Sequence, residues 1–146
     1  MCRDRRSLGS NPQPSGVFIG HTEGITNVSA KGDGRYVISN GKDQALRLWD
    51  LRKMRSNSDY ESVKRKFYGL EGFDYRYRDT RKQRREAHPK NCSIMTYRGH
   101  SVMRTLIRCH FSPAESTGGS YIYSGSSDGR VFVRSLFFFD HTRALH

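Results

Sequence analysis

Short apolar runs separated by polar turn residues succeed one another between residues 25 and 50. Ile25 to Ala30 predicts a short strand. Asp33-Gly34 follows, a dipeptide suited to a tight hairpin turn because glycine accepts positive φ. Tyr36-Val37-Ile38 predicts a second strand, and Asn40 to Gln44 a polar turn. Ala45-Leu46-Arg47-Leu48-Trp49-Asp50 predicts a third, with Leu46 and Leu48 alternating against Arg47. The pattern returns downstream. Leu106 to Phe111 predicts a strand, Ser116 to Ser120 a loop with Gly118-Gly119, and Tyr121-Ile122-Tyr123 the next strand. Ser126-Ser127-Asp128-Gly129 makes a turn into Val131-Phe132-Val133.

The two segments align with each other. Gly20-His21 opens the first and Gly99-His100 the second. His21 matches His100, Ser39 matches Ser124, and Asp43 matches Asp128. In both, Ser precedes Asp by four residues, which is the self-similarity of a repeat architecture.

Charge separates the segments. The chain has 146 residues and a formal net charge of +12. Residues 51–90 hold 13 basic and six acidic groups, whereas residues 17–50 are balanced. Val63 is the only β-branched aliphatic of that basic block, which reads as an inserted, solvated loop. Ile, Leu, Val and Phe make up only about a fifth of the chain, so packing of the whole into one core is not expected. No apolar stretch is long enough to span a membrane, and no signal peptide is readable after Arg3, Arg5 and Arg6. Cys2, Cys92 and Cys109 are an odd number without paired spacing, which points to a reducing compartment.

Gly20-His21, the stretch Ser39 to Asp43, and Trp49-Asp50 resemble the WD40 repeat, in which four antiparallel strands form one propeller blade. The resemblance implies an all-β fold, a partial WD40 β-propeller of about two four-stranded blades with a long basic insertion. Residues 1–16 read as a disordered start. Residues 17–50 and 93–98 form the first blade region, 51–92 the insertion, and 99–136 the second blade. Residues 137–146 stay unassigned. Gly16 to Ile19 is expected as the outermost strand of a preceding blade, and Ile94 to Tyr97 as that of the first. Two blades cannot close a ring, so the chain reads as a fragment of a longer propeller. The second repeat departs from the family where Arg134-Ser135 replaces Trp-Asp.

His21, Ser39 and Asp43 have the composition of a hydrolase triad. The resemblance implies instead a structural tetrad, His21, Ser39, Asp43 and Trp49, that ties a loop to its blade, and an incomplete counterpart in His100, Ser124 and Asp128. No catalytic signature such as G-x-S-x-G is present, and the chain is read as non-enzymatic. Cys109-His110 and His88 with Cys92 lack paired zinc-ligand spacing, and no phosphate or dinucleotide fingerprint occurs. No metal or cofactor is expected.

Lys64-Arg65-Lys66 and Arg81-Lys82-Gln83-Arg84-Arg85 flank Phe67, Tyr68, Phe73, Tyr75 and Tyr77. A solvated loop, a nuclear import signal of two clusters including Lys64, Arg65, Lys66, Arg81, Lys82, Arg84 and Arg85, and nucleic-acid binding all fit. Asp74 and Asp79 weaken the last. Location in the nucleus, the cytoplasm or both follows from these readings.

Trp49-Asp50-Leu51-Arg52 resembles the W-D-x-R motif by which WD-repeat receptors dock on the propeller adaptor of cullin-4 RING ubiquitin ligases. Val37-Ile38, Ser39-Asn40-Gly41, Asp43 and Leu48 occupy the places of its longer form. The resemblance implies a partner-binding role for Asp50 and Arg52, with Arg52 making charge-assisted hydrogen bonds. Gly20 to Thr26, Tyr97-Arg98-Gly99-His100, Thr105 to Cys109, and Asp74-Tyr75-Arg76 together resemble the WD repeat protein twenty-three subfamily of cullin-4-associated factors and its plant relatives, over about residues 17–133. The implied function is that of a substrate receptor, which binds the ligase adaptor and a protein substrate not nameable from sequence. The alternatives are a generic WD scaffold without a ligase link and a nucleic-acid-binding protein acting through the insertion.

Overall fold

Residues 14–64 and 87–136 are described by the computed structural model. Two antiparallel sheets carry the fold. The first holds β1 (Ile25–Ala30), β2 (Tyr36–Gly41), β3 (Ala45–Asp50) and β4 (Met95–Tyr97), paired in that order. The second holds β5 (Cys109–Phe111), β6 (Tyr121–Gly125) and β7 (Val131–Ser135), also paired in order. This is the arrangement of two adjoining blades of a partial propeller.

Turn chemistry sets the first sheet. Asp33 Oδ1 accepts from the backbone N–H of both Arg35 and Tyr36 at 2.9 Å, closing the β1–β2 hairpin. Gln44 ends the β2–β3 turn at φ 60°, a conformation unusual for a side-chain-bearing residue. Its amide offsets the strain: Nε2 donates to the Lys42 and Val102 carbonyls at 2.9 and 2.8 Å, and Oε1 accepts from Val102 N at 2.7 Å. The β2–β3 turn is thereby fastened to the loop entering the second sheet.

Ile38, Leu46 and Leu48 face the second sheet and pack with Cys109 and Ile122 as the inter-sheet core. Register explains the selection. Ile38 pairs with Leu48, and Asn40 with Leu46, so all four point to one side. Val37 with Trp49 and Ser39 with Arg47 point to the other. All six residues of β3 are buried, so the Leu–Arg–Leu alternation does not mark a solvated face. Arg47 lies inside, held by Thr96 Oγ1 at 2.9 Å and Asp43 Oδ2 at 3.3 Å.

Several stretches differ from the sequence reading. The basic block begins as folded structure. Leu51–Lys53 forms a 3₁₀ turn and Asn57–Val63 forms α1, whose N-cap Ser56 accepts from Asp59 N at 3.2 Å. Val63 is buried against Val17 and Ile19. Among the described residues Val17 joins neither sheet: it bridges Arg55 through paired backbone bonds of 3.0 and 2.9 Å. Cys92 N donates to the Ile19 carbonyl at 2.9 Å, so both ends of the insertion return to the first blade.

In the second segment only Cys109–Phe111 of the expected Leu106–Phe111 strand joins the sheet. Thr105 and Ile107 donate their N–H groups two residues back, to Met103 and Thr105, which diverts the backbone from any ladder. Ala114–Thr117 forms a short helix, α2, that takes in the first two residues of the predicted Ser116–Ser120 loop and is closed by Gly118 at φ 62°. Among the described residues the second sheet has three strands rather than four. Arg65–Glu86, the first 13 residues and the tail from Phe137 lie outside the described residues.

Candidate functional site

Strand register brings three of the aligned polar residues together. Ser39 on β2 and Trp49 on β3 point to the same side of the first sheet. Asp43 projects from the intervening turn, and His21 from the segment ahead of β1. His21 Nδ1 lies 2.9 Å from Asp43 Oδ1, and its Nε2 lies 2.8 Å from Ser39 Oγ. Trp49 Nε1 donates to the same Ser39 Oγ at 2.7 Å. A carboxylate only accepts and an indole N–H only donates. The chain therefore runs with His21 Nδ1–H donating to Asp43, and Ser39 O–H donating to His21 Nε2.

The order Asp, His, Ser is that of a hydrolase triad, but the chemistry is not. Ser39 is 3% exposed and its oxygen is already engaged by the indole. Trp49 in turn stacks on Phe18 with centroids 5.0 Å apart. The four groups satisfy one another inside the sheet layer, where an unpaired polar group is costly. Burial by itself raises the Asp43 carboxyl pKa, but the His21 hydrogen bond and charge, with Arg47 behind, hold it below its ordinary value.

Two glycines make the site possible. A Cβ on Gly41 would lie 2.5 Å from His21 Nδ1 and 2.6 Å from Asp43 Oδ1. A Cβ on Gly20 would lie 2.9 Å from the Trp49 ring. The requirement is close approach, which no spacing rule exposes.

The second repeat does not build the counterpart. His100, Ser124 and Asp128 do not meet. His100 Nε2 lies 2.7 Å from Asn40 Oδ1, on the first sheet. Asn40 Nδ2 donates to the Ile107 carbonyl at 3.2 Å and to Ser124 Oγ at 3.3 Å. Asp128 stays exposed and accepts from Arg130 N at 3.2 Å. The physical reason is the replaced tryptophan. Arg134 sends its guanidinium to the Arg98 carbonyl and over the Phe132 ring, so no indole donor enters the layer. Asn40 fills the place instead: the sequence predicts it as the start of the Asn40–Gln44 turn, but β2 continues through Gly41, and the pairing of Asn40 with Leu46 turns its side chain to the second sheet.

Cys109 and His110 face opposite sides of β5, the cysteine buried and the histidine exposed. Burial pushes the Cys109 thiol up to about 12, so it is an inert core group.

Asp50 and Arg52 separate. Asp50 is 2% exposed, and Arg35 Nε and Nη2 both donate to its Oδ2, at 3.0 and 2.9 Å. Its Oδ1 accepts from Arg52 N at 2.9 Å, capping the Leu51–Lys53 turn. The Arg35 hydrogen bond first, then that of Arg52 N, hold the Asp50 carboxyl below its usual range. Asp50 is thus an internal brace in this chain, engaged by Arg35 and the Arg52 amide. The Arg52 side chain is exposed just beyond β3. Of the basic clusters, Lys64 closes α1 and pairs with Glu61. Arg65, Lys66, Arg81, Lys82, Arg84 and Arg85 lie outside the described residues.

Comparison with known proteins agrees with this geometry. The pattern described as "WD domain, G-beta repeat" matches residues 12–50 and 91–135. A protein named LEC14B from Lithospermum erythrorhizon is 47% identical over 93% of this chain, which covers 28% of that relative. A LEC14B homolog from Prunus armeniaca is 49% identical with the same coverage. A DDB1- and CUL4-associated factor 11 homolog from Caenorhabditis elegans is 44% identical over 85% of the chain, covering 21% of that protein. The chain thus spans about a quarter of the length of these relatives. Blade-like sheets, a hydrogen-bonded His–Ser–Asp–Trp set and two matched repeats converge on one conclusion: the chain belongs to the WD40 repeat family.

Proposed function

We propose that this module belongs to a substrate receptor of a cullin-4 RING ubiquitin ligase and docks on the DDB1 adaptor through Arg52. One observation carries the reading. The W-D-x-R segment ends β3 so that Trp49 and Asp50 are spent on the fold while Arg52 alone projects outward. The name of the Caenorhabditis elegans relative supports the same partner. In this reading the module holds the adaptor on one face and a protein substrate on another rim. Ubiquitin transfer then gains from proximity, and the chemistry belongs to other subunits.

The test is binding of purified DDB1 to the intact protein carrying Arg52→Ala or Arg52→Lys, with melting temperature measured in parallel. Arg52→Ala should lose about 2 kcal/mol of binding, roughly thirty-fold in affinity, at unchanged stability. Arg52→Lys keeps the charge but not the planar fork and should recover part of the loss. Unchanged affinity of Arg52→Ala overturns the proposal.

A further inference from the structure

The neighbourhood of Arg52 contains a second loop that the W-D-x-R motif does not include. The β1–β2 hairpin turn, residues 31–35, reaches the corner after β3. The Arg35 carbonyl accepts from Leu51 N at 2.9 Å. The Arg35 side chain forks onto Asp50 Oδ2, whose other oxygen accepts from Arg52 N. Arg35, Asp50 and the first turn bearing Arg52 are therefore one hydrogen-bonded unit. Tyr36, paired with Asp50 in the sheet, supports it from below. Arg35 Cζ and Lys31 Nζ lie 4.8 and 5.4 Å from the Tyr36 ring centroid.

The charge of this unit is one-sided. Lys31, Arg35, Arg52 and Lys53 supply four cations, and Asp33 and Asp50 are the carboxylates among them. Both carboxylates are committed internally. Asp33 closes the hairpin turn and pairs with Lys31 at 3.6 Å, and Asp50 is buried between Arg35 and the Arg52 amide. Arg52 and Lys53 are exposed, with no ion-pair partner among the described residues. A surface of four cations whose two carboxylates are engaged within it, Asp50 buried and Asp33 exposed but held by its own turn and Lys31, is complementary to a carboxylate-rich face.

We propose that the hairpin turn Lys31–Arg35 and the corner Leu51–Lys53 form one basic docking surface for an acidic protein face, with Arg35 as the positioning residue that fixes Arg52. The proposal rests on the docking role of Arg52 and extends it to a surface made of two loops. Arg35 acts through Asp50: its fork holds the carboxylate in the orientation that caps the Arg52 turn. Lys31 and Lys53 act as rim charges that speed encounter and make it salt-dependent.

The experiment measures DDB1 association rate and affinity at low and high salt, with melting temperature, on the intact protein and four variants. These are Arg52→Ala, Arg35→Gln, the double Arg35→Gln/Arg52→Ala, and Lys31→Glu/Lys53→Glu. The rim pair should slow association about ten-fold and flatten its salt dependence. Arg35→Gln should weaken binding, and the double variant should bind no worse than Arg52→Ala, because the two residues act as one unit. Additive losses in the double variant overturn the positioning role. A rim pair with unchanged rate and salt dependence overturns the shared surface, also if Arg35→Gln does not fold. Either of these results with Arg52→Ala still weakened leaves the docking reading standing. Unchanged binding of Arg52→Ala overturns both.

Discussion

Asn40 Oδ1 lies 2.7 Å from His100 Nε2, and this buried contact joins the first sheet to the second. Because Asn40 Nδ2 donates to the Ile107 carbonyl and Ser124 Oγ, its oxygen is the free acceptor and His100 Nε2 carries the proton. One side chain in a strand thus connects a histidine, a hydroxyl and a main-chain carbonyl of the neighbouring blade.

Asn40→Ala should cost at least about 2 kcal/mol, since it leaves several buried groups unpaired at about 1–3 kcal/mol each. Urea unfolding of the intact protein measures this. A loss below about 0.5 kcal/mol, the range of ordinary surface substitutions, would show that the inter-blade contact is replaced by water.

The tetrad predicts a graded series. Trp49→Ala should destabilise by about 3–5 kcal/mol, as other large core truncations do. Ser39→Ala should cost about 1–3 kcal/mol, by stranding the indole N–H and the His21 ring nitrogen. Gly41→Ala should cost about 1–3 kcal/mol through overpacking, although Ala is the better residue elsewhere in a strand. Calorimetry on the three variants checks the order, and a neutral Gly41→Ala would contradict the close approach to His21 and Asp43.

Stability should fall on mild acidification. Burial, with Arg134, holds the His100 pKa below its ordinary value of 6.5, and burial does the same for His88. The unfolded chain therefore takes up protons near pH 6.5 before the folded one does. The stabilisation is complete above pH 6.5 and declines as pH drops from there toward the folded values. Asp43 adds a second window with the same sign: its contribution is full above its ordinary 3.8 and is lost as pH falls below that. Urea midpoints should be lower at pH 5 than at pH 7.5, and His100→Gln should flatten the difference. A wild-type midpoint independent of pH over this range would refute the assignment.

Nuclear import through the basic clusters is a further proposal. Neutralising Arg81, Lys82, Arg84 and Arg85 together should move a fluorescently tagged protein from nucleus to cytoplasm. An unchanged nuclear signal overturns the import proposal.

Local chemistry was readable along the chain wherever neighbours in sequence carry it. Asp33-Gly34 marks the β1–β2 turn because an Asx acceptor and a positive-φ glycine act within four residues. β2, β3 and β4 were legible from their apolar runs, and the types His21, Ser39, Asp43 and Trp49 from their recurrence in a known repeat. What covers the second side of a strand is not local. Arg47 alternates with Leu46 and Leu48 along β3, yet is 1% exposed, because Asp43, four residues back, and Thr96, on the neighbouring β4, supply its partners. Val63 lies in the most charged part of the chain, yet is buried because α1 folds back on Val17 and Ile19. Asn40 belongs to the first repeat and Ser124 and His100 to the second, and only blade stacking makes them one network. Residue types and turns set which strands form. Which polar groups end up buried, and with whom, was decided by the packing of sheet on sheet, because an unpaired group inside that layer costs more than any local preference returns.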